Sequence, residues 1–216
     1  MKTILFTLLA ATMLAAQAQI KHIKPGQVYP MPPAPKTQVE LDRLVEDDPI
    51  YSDLYGGRCS WYCGGVVDTV MASSQLHRIK RFTYEAAHAH DFDHESVWAE
   101  GAAGQGIGEW LLYKFPGSCP RITTVKILNG HVKNPEVWRN NSRVKQLLMY
   151  YNDTPLAILD LDDSRSLQCF DVGVLGPHDA AAPQWSLKFE ILDVYPGAKH
   201  DDTVIAELFF DGIDVH

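Results

Sequence analysis

The densest run of chemistry-capable side chains is His88-Ala89-His90-Asp91-Phe92-Asp93-His94-Glu95-Ser96. Imidazole and carboxylate are ready zinc ligands, and a His-x-His-x-Asp-His pattern is one way to hold that metal. Here Asp93-His94 arrive one position late for it, and no later His or Cys set completes a shell. Zinc catalysis is not expected. Glu100 and Glu109 form a second pair of interest, because glycoside cleavage needs two carboxylates a fixed distance apart. Spacing does not give that distance, and the alternative has Glu100 ordering the loop after it and Glu109 at a strand edge. There is no G-x-S-x-G elbow, and Ser73, Ser74, His77 and Asp68 have no triad spacing.

Four glycines, Gly101, Gly104, Gly106 and Gly108, lie between Trp98 and Trp110, and the apolar run Leu111-Leu112-Tyr113 follows. A dinucleotide loop needs G-x-G-x-x-G after a buried strand and before a helix. The spacing here is G-x-x-G-x-G-x-G and leads into a strand. This is a shaped loop that lets another backbone approach closely.

The elements that must position these residues follow from pattern. Residues 1–18 have the form of a signal peptide, with Lys2 as the positive end, Ile4 to Leu14 as the apolar core and Ala16-Gln17-Ala18 as the cleavage site. The core is too short to span a bilayer and no later segment comes near the needed length, so no membrane insertion is expected. No cysteine follows the cleavage site, so the product is expected to be secreted or periplasmic rather than a lipoprotein. No further domain is expected after residue 216. The net charge of −8 becomes −9 without Lys2, which argues against nucleic acid and anionic membrane surfaces as partners.

Pro25, Pro30, Pro32, Pro33 and Pro35 make residues 19–36 a proline-rich tether in extended geometry. Residues 37–63 are an N-terminal extension, with a short helix from Thr37 to Glu46 capped by Thr37 and Glu40. Residues 64–216 carry a period of two. Trp185-Ser-Leu187-Lys-Phe189-Glu-Ile191 alternates strictly, and Thr124–Ile127 repeats the pattern. Further strands are expected at Val66–Met71, Glu109–Phe115, Arg143–Tyr151, Leu156–Leu161, Leu167–Val174 and Thr203–Phe210, with turns between them. A short helix is expected around Thr83–His88. Many short strands without long helical periods indicate an all-β, antiparallel sandwich. Trp98, Trp110 and Trp185 are expected in its core. In an exported chain, Cys59, Cys63, Cys119 and Cys169 suggest disulfides, and Cys59–Cys63 with Cys119–Cys169 is one of three pairings.

Six blocks then line up in order: Ala72-Ser73-Ser74-Gln75-Leu76; Trp98-Ala99-Glu100-Gly101 with Gly104-x-Gly106-Ile107-Gly108-Glu109; Ile127-Leu128-Asn129-Gly130 with Lys133; Asn141-Ser142-Arg143-Val144-Lys145; Leu192-Asp193-Val194-Tyr195-Pro196-Gly197-x-Lys199; and Asp201-Asp202-Thr203-x-Ile205-x-Glu207. Over roughly residues 65–212 the chain resembles the discoidin-like (F5/8 type C-like) module of the translocation region of secreted bacterial NAD-glycohydrolases. That module is also described as an NADase-type glycan-binding domain. The resemblance is to an accessory domain and not to an NAD-hydrolysing one. It implies a jelly-roll, galactose-binding-like fold that recognises carbohydrate without catalysis. Two positions depart from the pattern: His131 stands where an aromatic such as Tyr follows Asn-Gly, and Phe92 stands where Gly is usual in the acidic loop.

The resemblance also implies a structural calcium, held by loop oxygens and a glutamate of the last strand. Asp91, Asp93, Ser96 and Glu207 match those positions, and oxygen ligation suits a hard cation. The other reading leaves the loop uncommitted and Glu207 solvated. Sugar binding asks for apolar faces together with convergent polar groups. The loops Asn129–Arg143 and Tyr195–Asp202 supply Asn129, His131, Lys133, Trp138, Asn141, Arg143, Tyr195, Lys199, Asp201 and Asp202. The expected function is therefore a secreted glycan-binding module. A protein-interaction module using the same loops, with an apolar patch near Trp61, Tyr62 or Trp138, and a hydrolase acting at Glu100 and Glu109 remain as alternatives.

Overall fold

A computed structural model describes residues 20–55 and 60–215 of the chain. The leader segment and Cys59 lie outside the described residues. Two layers of strand build the fold. The first contains β2 (Gln27–Pro30), β4 (Trp98–Ala99), β6 (Ile122–Asn129), β9 (Ser166–Leu175) and β11 (Thr203–Gly212). The second contains β1 (Lys21–Ile23), β3 (Thr69–Ala72), β5 (Trp110–Phe115), β7 (Ser142–Tyr151), β8 (Thr154–Asp160) and β10 (Trp185–Tyr195). The order β2-β9-β6-β11 continues into β7-β10-β5-β3. The joint is a parallel contact of two residue pairs, Thr203 with Ser142 and Val204 with Arg143. All other pairings are antiparallel except β1 on β8. This is the expected antiparallel sandwich.

Between the layers, Ile127, Phe170, Leu208 and Phe210 meet Leu111, Tyr113, Leu147 and Phe189. The Phe210 ring centre lies 5.2 Å from both Tyr113 and Phe115, in the edge-on geometry that aromatic quadrupoles favour. Each such side chain contributes about 1.5–3 kcal/mol of burial. A second cluster covers the outer face of the first layer: Leu128, Leu167, Val204 and Phe209 pack with Val97, Val132 and Leu54. β11 is consequently buried on both faces.

The structure corrects several expectations. The supposed tether is paired: β1 adds to β8, and β2 adds to β9 on the other layer. Within it, residues 20, 24–26 and 31–36 lack helix or strand. Proline is tolerated here because it falls between or at the ends of edge strands. Trp61, assigned to an extension, is fully buried against Phe115 and Phe210, so the sandwich begins before residue 64. With Trp61 in the core and Tyr62 packed on it, no apolar patch forms there. Trp98 and Trp185 are buried, but Trp110 is only half-buried, because it alternates with Leu111 and shares the outer face with Leu112 and Lys114. Cys119 carries a free thiol whose nearest partner is the Val66 carbonyl, 3.5 Å away. It belongs to the core between the layers whereas Cys169 packs in the outer cluster, so these two do not pair.

The first helix, α1 (Gln38–Asp47), forms as expected, and Thr37 Oγ1 accepts the Glu40 N–H at 3.1 Å. Glu40 reaches back to the N–H of Lys36 rather than Thr37. Two helices were not anticipated. In α2 (Pro49–Tyr55), Asp48 accepts the Ile50 N–H; in α3 (Pro135–Asn140), Asn134 accepts the N–H groups of Glu136 and Val137. Asp-Pro and Asn-Pro are a cap followed by a first-turn proline, a signal hidden by the shortness of both helices. The helix expected at Thr83–His88 is instead a 3₁₀ turn over Ala86–His90.

Candidate functional site

At one end of the sandwich, the segment after β3, the acidic loop, the β6–α3 connection and the segment before β11 enclose a cleft in two parts. The segment after β3 is shaped by a turn in which Ile79 and Phe82 exchange backbone hydrogen bonds of 3.1 and 3.0 Å. Lys80 at its tip takes the left-handed conformation, with φ of 55°. Phe82 is left 51% exposed and Tyr84 lies on the wall. The inner cavity, about 220 Å³, places Tyr84, Ile79 and Val137 against His131, Asn141 and Asp202. The outer cavity, about 530 Å³, shares Tyr84 and His131 and adds Arg81, Phe82, Glu95 and Lys133. One concave site with an apolar wall and a few convergent polar groups is the usual form of a small-ligand site.

The ten residues read from the two loops divide. His131, Asn141 and Asp202 line the inner cavity, and Lys133 lines the outer one, where its ammonium meets Glu95 at 3.0 Å. Asn129, Trp138 and Arg143 form the framework beneath. The Asn129 amide accepts the Val144 N–H at 2.9 Å and donates to the Val144 carbonyl at 2.7 Å, which pins β6 to β7. Trp138 donates to the Asn129 carbonyl and carries the Arg143 guanidinium 4.4 Å above its ring. Arg143 pairs with Asp163 at 2.8 Å and not with Asp201 or Asp202. Gly130 has φ of +80°, and a Cβ there would come within 2.7 Å of Arg143. Tyr195 donates to the Leu161 carbonyl, Lys199 lies 3.9 Å from Glu136, and Asp201 is exposed; none of these three lines the cleft. Tyr84, Phe82 and Arg81 were missed. Their signal was two aromatics in a segment without strand period.

The acidic loop and Glu207 lie beside the outer cavity. Glu207 faces Leu128 across the sheet and is 2% exposed. Along this strand Ile205 packs between the layers and Phe209 in the outer cluster, so a simple alternation is not kept across Glu207, and the solvated alternative is excluded. Neither Glu207 oxygen accepts a hydrogen bond of good geometry, although the Asp91 carboxylate and the Phe92 N–H come near it. Burial first, and then the nearby Asp91 charge, push its carboxyl up to about 9. Asp91 accepts from His88 Nδ1, Ser96 Oγ and the Asp93 N–H at 2.9, 2.7 and 3.0 Å. Asp93 accepts the Glu95 N–H, and Ser96 Oγ also meets the Asp93 carbonyl. Phe92 takes the left-handed turn despite its bulk, with φ of 60°. Its ring packs at 5.0 Å from Tyr62 and 5.5 Å from Phe209, contacts that offset the roughly 1–2 kcal/mol of backbone strain.

Of the four residues expected to hold a cation, the structure brings the oxygens of Glu207 beside Asp91. Asp93 and Ser96 are engaged in the loop's own bonds, and among the described residues no three His, Cys, Asp or Glu side chains converge as a ligand set. The histidines disperse likewise: His88 bonds Thr83 and Asp91, His90 the Leu208 carbonyl, and His94 the Tyr55 hydroxyl. Burial lowers the imidazoles of His90, His94 and His131, which keeps them neutral.

Glu100 is fully buried, its Oε1 accepting the Thr203 N–H at 3.1 Å and its Oε2 the Ala102 N–H at 2.8 Å. Gly106 closes on it so tightly that a Cβ would lie 2.4 Å from Glu100 Cγ. Glu109 is held separately by the Ser73 and Ser74 hydroxyls. Both carboxylates organise loops.

The family model for the NAD glycohydrolase translocation F5/8 type C domain matches residues 61–211. The chain belongs to this family. The match starts at Trp61, in agreement with the burial of that residue in the core. Two solved structures share the fold at a TM-score of 0.53. The CBM32-1 and CBM32-2 domains of Clostridium perfringens ZmpB in complex with GalNAc are 10% identical, over 91% of this chain and 42% of that one. The same two domains with the M60 catalytic domain are 11% identical, over 92% of this chain and 17% of that one. The chain thus spans less than half the length of either. A C. perfringens module, CpGH89CBM32-5 in complex with GalNAc-β-1,3-galactose, is 15% identical over 67% of this chain and 94% of that one, at a TM-score of 0.47. No curated protein matches the sequence. At these identities the likeness to solved structures establishes the fold.

Proposed function

We propose that the protein is an exported, non-catalytic carbohydrate-binding module whose ligand enters the cleft at the loop end of the sandwich. The observation that carries the reading is the inner cavity, where the Tyr84 wall faces Asn141, Asp202 and His131. A pyranose ring presents the matching pair of surfaces, C–H groups on one side and hydroxyls around it. The fold neighbour solved with GalNAc at a TM-score of 0.53 supports the class of ligand. Glu100, with both oxygens held by backbone N–H groups, has no role in bond cleavage. Glycan-array screening of residues 19–216 tests the proposal; β1 and β2 belong to the sheets, so shorter fragments are unsuitable. Binding that Tyr84→Ala abolishes is expected, and a folded sample that binds no glycan overturns it.

A structural calcium at Glu207 and Asp91 belongs to the same proposal. It would supply positive charge to a buried carboxyl that otherwise needs a proton, and it would fix the acidic loop beside the cleft. Export rests on the leader pattern of residues 1–18, and N-terminal sequencing of the secreted product should begin at Gln19. One observation favours a protein partner as a second reading: on the outer face of the second layer Trp110, Leu112 and Tyr150 are half-buried and Met71 is exposed. That reading predicts a complex that free sugars do not displace and that Trp110→Ala weakens.

A further inference from the structure

We infer that the ligand is an acidic oligosaccharide: a neutral terminal ring occupies the inner cavity, and the next unit places a carboxylate on Arg81 at the rim of the outer one. This inference rests on the glycan-binding reading and adds the class of sugar. The two cavities adjoin through Tyr84, Val97, His131 and Val137, which line both. The inner one, at about 220 Å³, is smaller than the roughly 300–1,000 Å³ of drug-sized sites and suits one ring. The outer one, at about 530 Å³, leaves room for a second.

Charge sorts the two. Among the residues lining the inner cavity, Asp202 is the one carboxylate and no Lys or Arg is present. His131 adds no positive charge, because burial holds its imidazole neutral while the ring hydrogen-bonds the Glu95 backbone. With Asp202 as its carboxylate and His200 as a second imidazole on the wall, the cavity suits hydroxyls better than a carboxylate. In the outer cavity Lys133 is paired with Glu95 at 3.0 Å and His88 with Asp91 at 2.9 Å, while Asp93 accepts the Glu95 N–H at 3.1 Å and keeps its negative charge. Arg81 is the one Lys or Arg of this cavity that makes no ion pair among the described residues, and its guanidinium lies 5.1 Å from the centre of the Phe82 ring. The reciprocal Ile79–Phe82 backbone bonds fix that turn, which presents the exposed Arg81 at the rim of the cavity. A planar fork on an aromatic face is a pre-oriented receptor for carboxylate, and the exposed Phe82 ring offers the C–H face of the same sugar a surface.

The test compares GalNAc-β-1,4-glucuronic acid with its carboxyl-reduced partner, GalNAc-β-1,4-glucose, by calorimetry on the purified protein. An array of neutral and carboxylated oligosaccharides is screened alongside. The acid should bind about tenfold tighter, the size expected of hydrogen bonds to a charged group. The preference should shrink as salt rises, and Arg81→Gln should bring the acid down to its reduced partner. Equal binding of the pair, a preference that survives Arg81→Gln, or an array showing neutral glycans alone overturns the inference and leaves the glycan reading standing. An array with no binding at all overturns both.

Discussion

Two carboxyl groups are buried beside β11, and they are held in opposite ways. Glu100 sits at the start of the strand with each oxygen on a backbone N–H, inside a loop that Gly106 seals. Glu207 sits in the middle of the same strand with neither oxygen satisfied. Burial alone therefore does not mark a functional carboxylate. A buried charge met by oriented donors is part of the scaffold, whereas an unmet one requires a proton or a cation. The contrast moves interest from the Glu100/Glu109 pair to the acidic loop and the cleft beside it.

The sharpest break of this contrast is Glu100→Ala. It strands the buried Thr203 N–H and the half-buried Ala102 N–H and empties a packed site, so the loss should be about 3–5 kcal/mol by denaturant unfolding. A loss near zero would show that water replaces the carboxylate and that the satisfied–unsatisfied distinction is false.

Calcium comes next. A hundredfold excess over its dissociation constant adds about 2.7 kcal/mol to the folded state, a rise of several degrees in Tm that Glu207→Gln should remove. The pH dependence carries the opposite signs of the two states. In chelator, the Glu207 carboxyl keeps its proton when folded up to about pH 9 but loses it near 4.5 when unfolded. The metal-free protein should thus lose stability as pH rises from about 4.5 towards 9, and Glu207→Gln should flatten that slope. With calcium bound the group is ionised, and stability should instead fall as pH drops. Melting curves that ignore both calcium and chelator would return Glu207 to the role of a buried, protonated acid.

Smaller effects test the supports. Gly106→Ala should cost about 1–2 kcal/mol for its left-handed backbone alone, and more if Glu100 cannot yield to the new Cβ. Phe92→Gly should change stability by less than about 1 kcal/mol, because relief of the left-handed turn offsets the lost ring contacts. A large loss there would mean that the ring, rather than the turn, holds the acidic loop over Glu207.

The strands were legible because alternation reports a half-buried face, and Trp185–Ile191 is buried at every second residue as its pattern requires. Trp110 shows the limit of that signal: alternation gives two faces but not which one turns inward, and the larger aromatic took the outer face. Strands β1 and β2 escaped notice because edge pairing is made by backbone groups that leave no mark on side-chain pattern. At the site, the loops were legible from polar density, but the split between wall and framework was not. Asn129 and Arg143 look like binding groups in sequence, and only their distances to Val144 and Asp163 show them to be committed. Arg81 was overlooked because a turn has no period to read, and Tyr84 because its segment was read as a helix.

The N-terminal strands have a mechanical consequence. Residues 21–23 hold the edge of one layer and residues 27–30 the edge of the other, with three residues between them. A pull applied at Ile20 would therefore pass directly into the edge of one layer and, three residues after β1, into the edge of the other. Force on a bound surface would be borne by seven residue pairs of backbone hydrogen bonding, and peeling them would open the side of the sandwich itself.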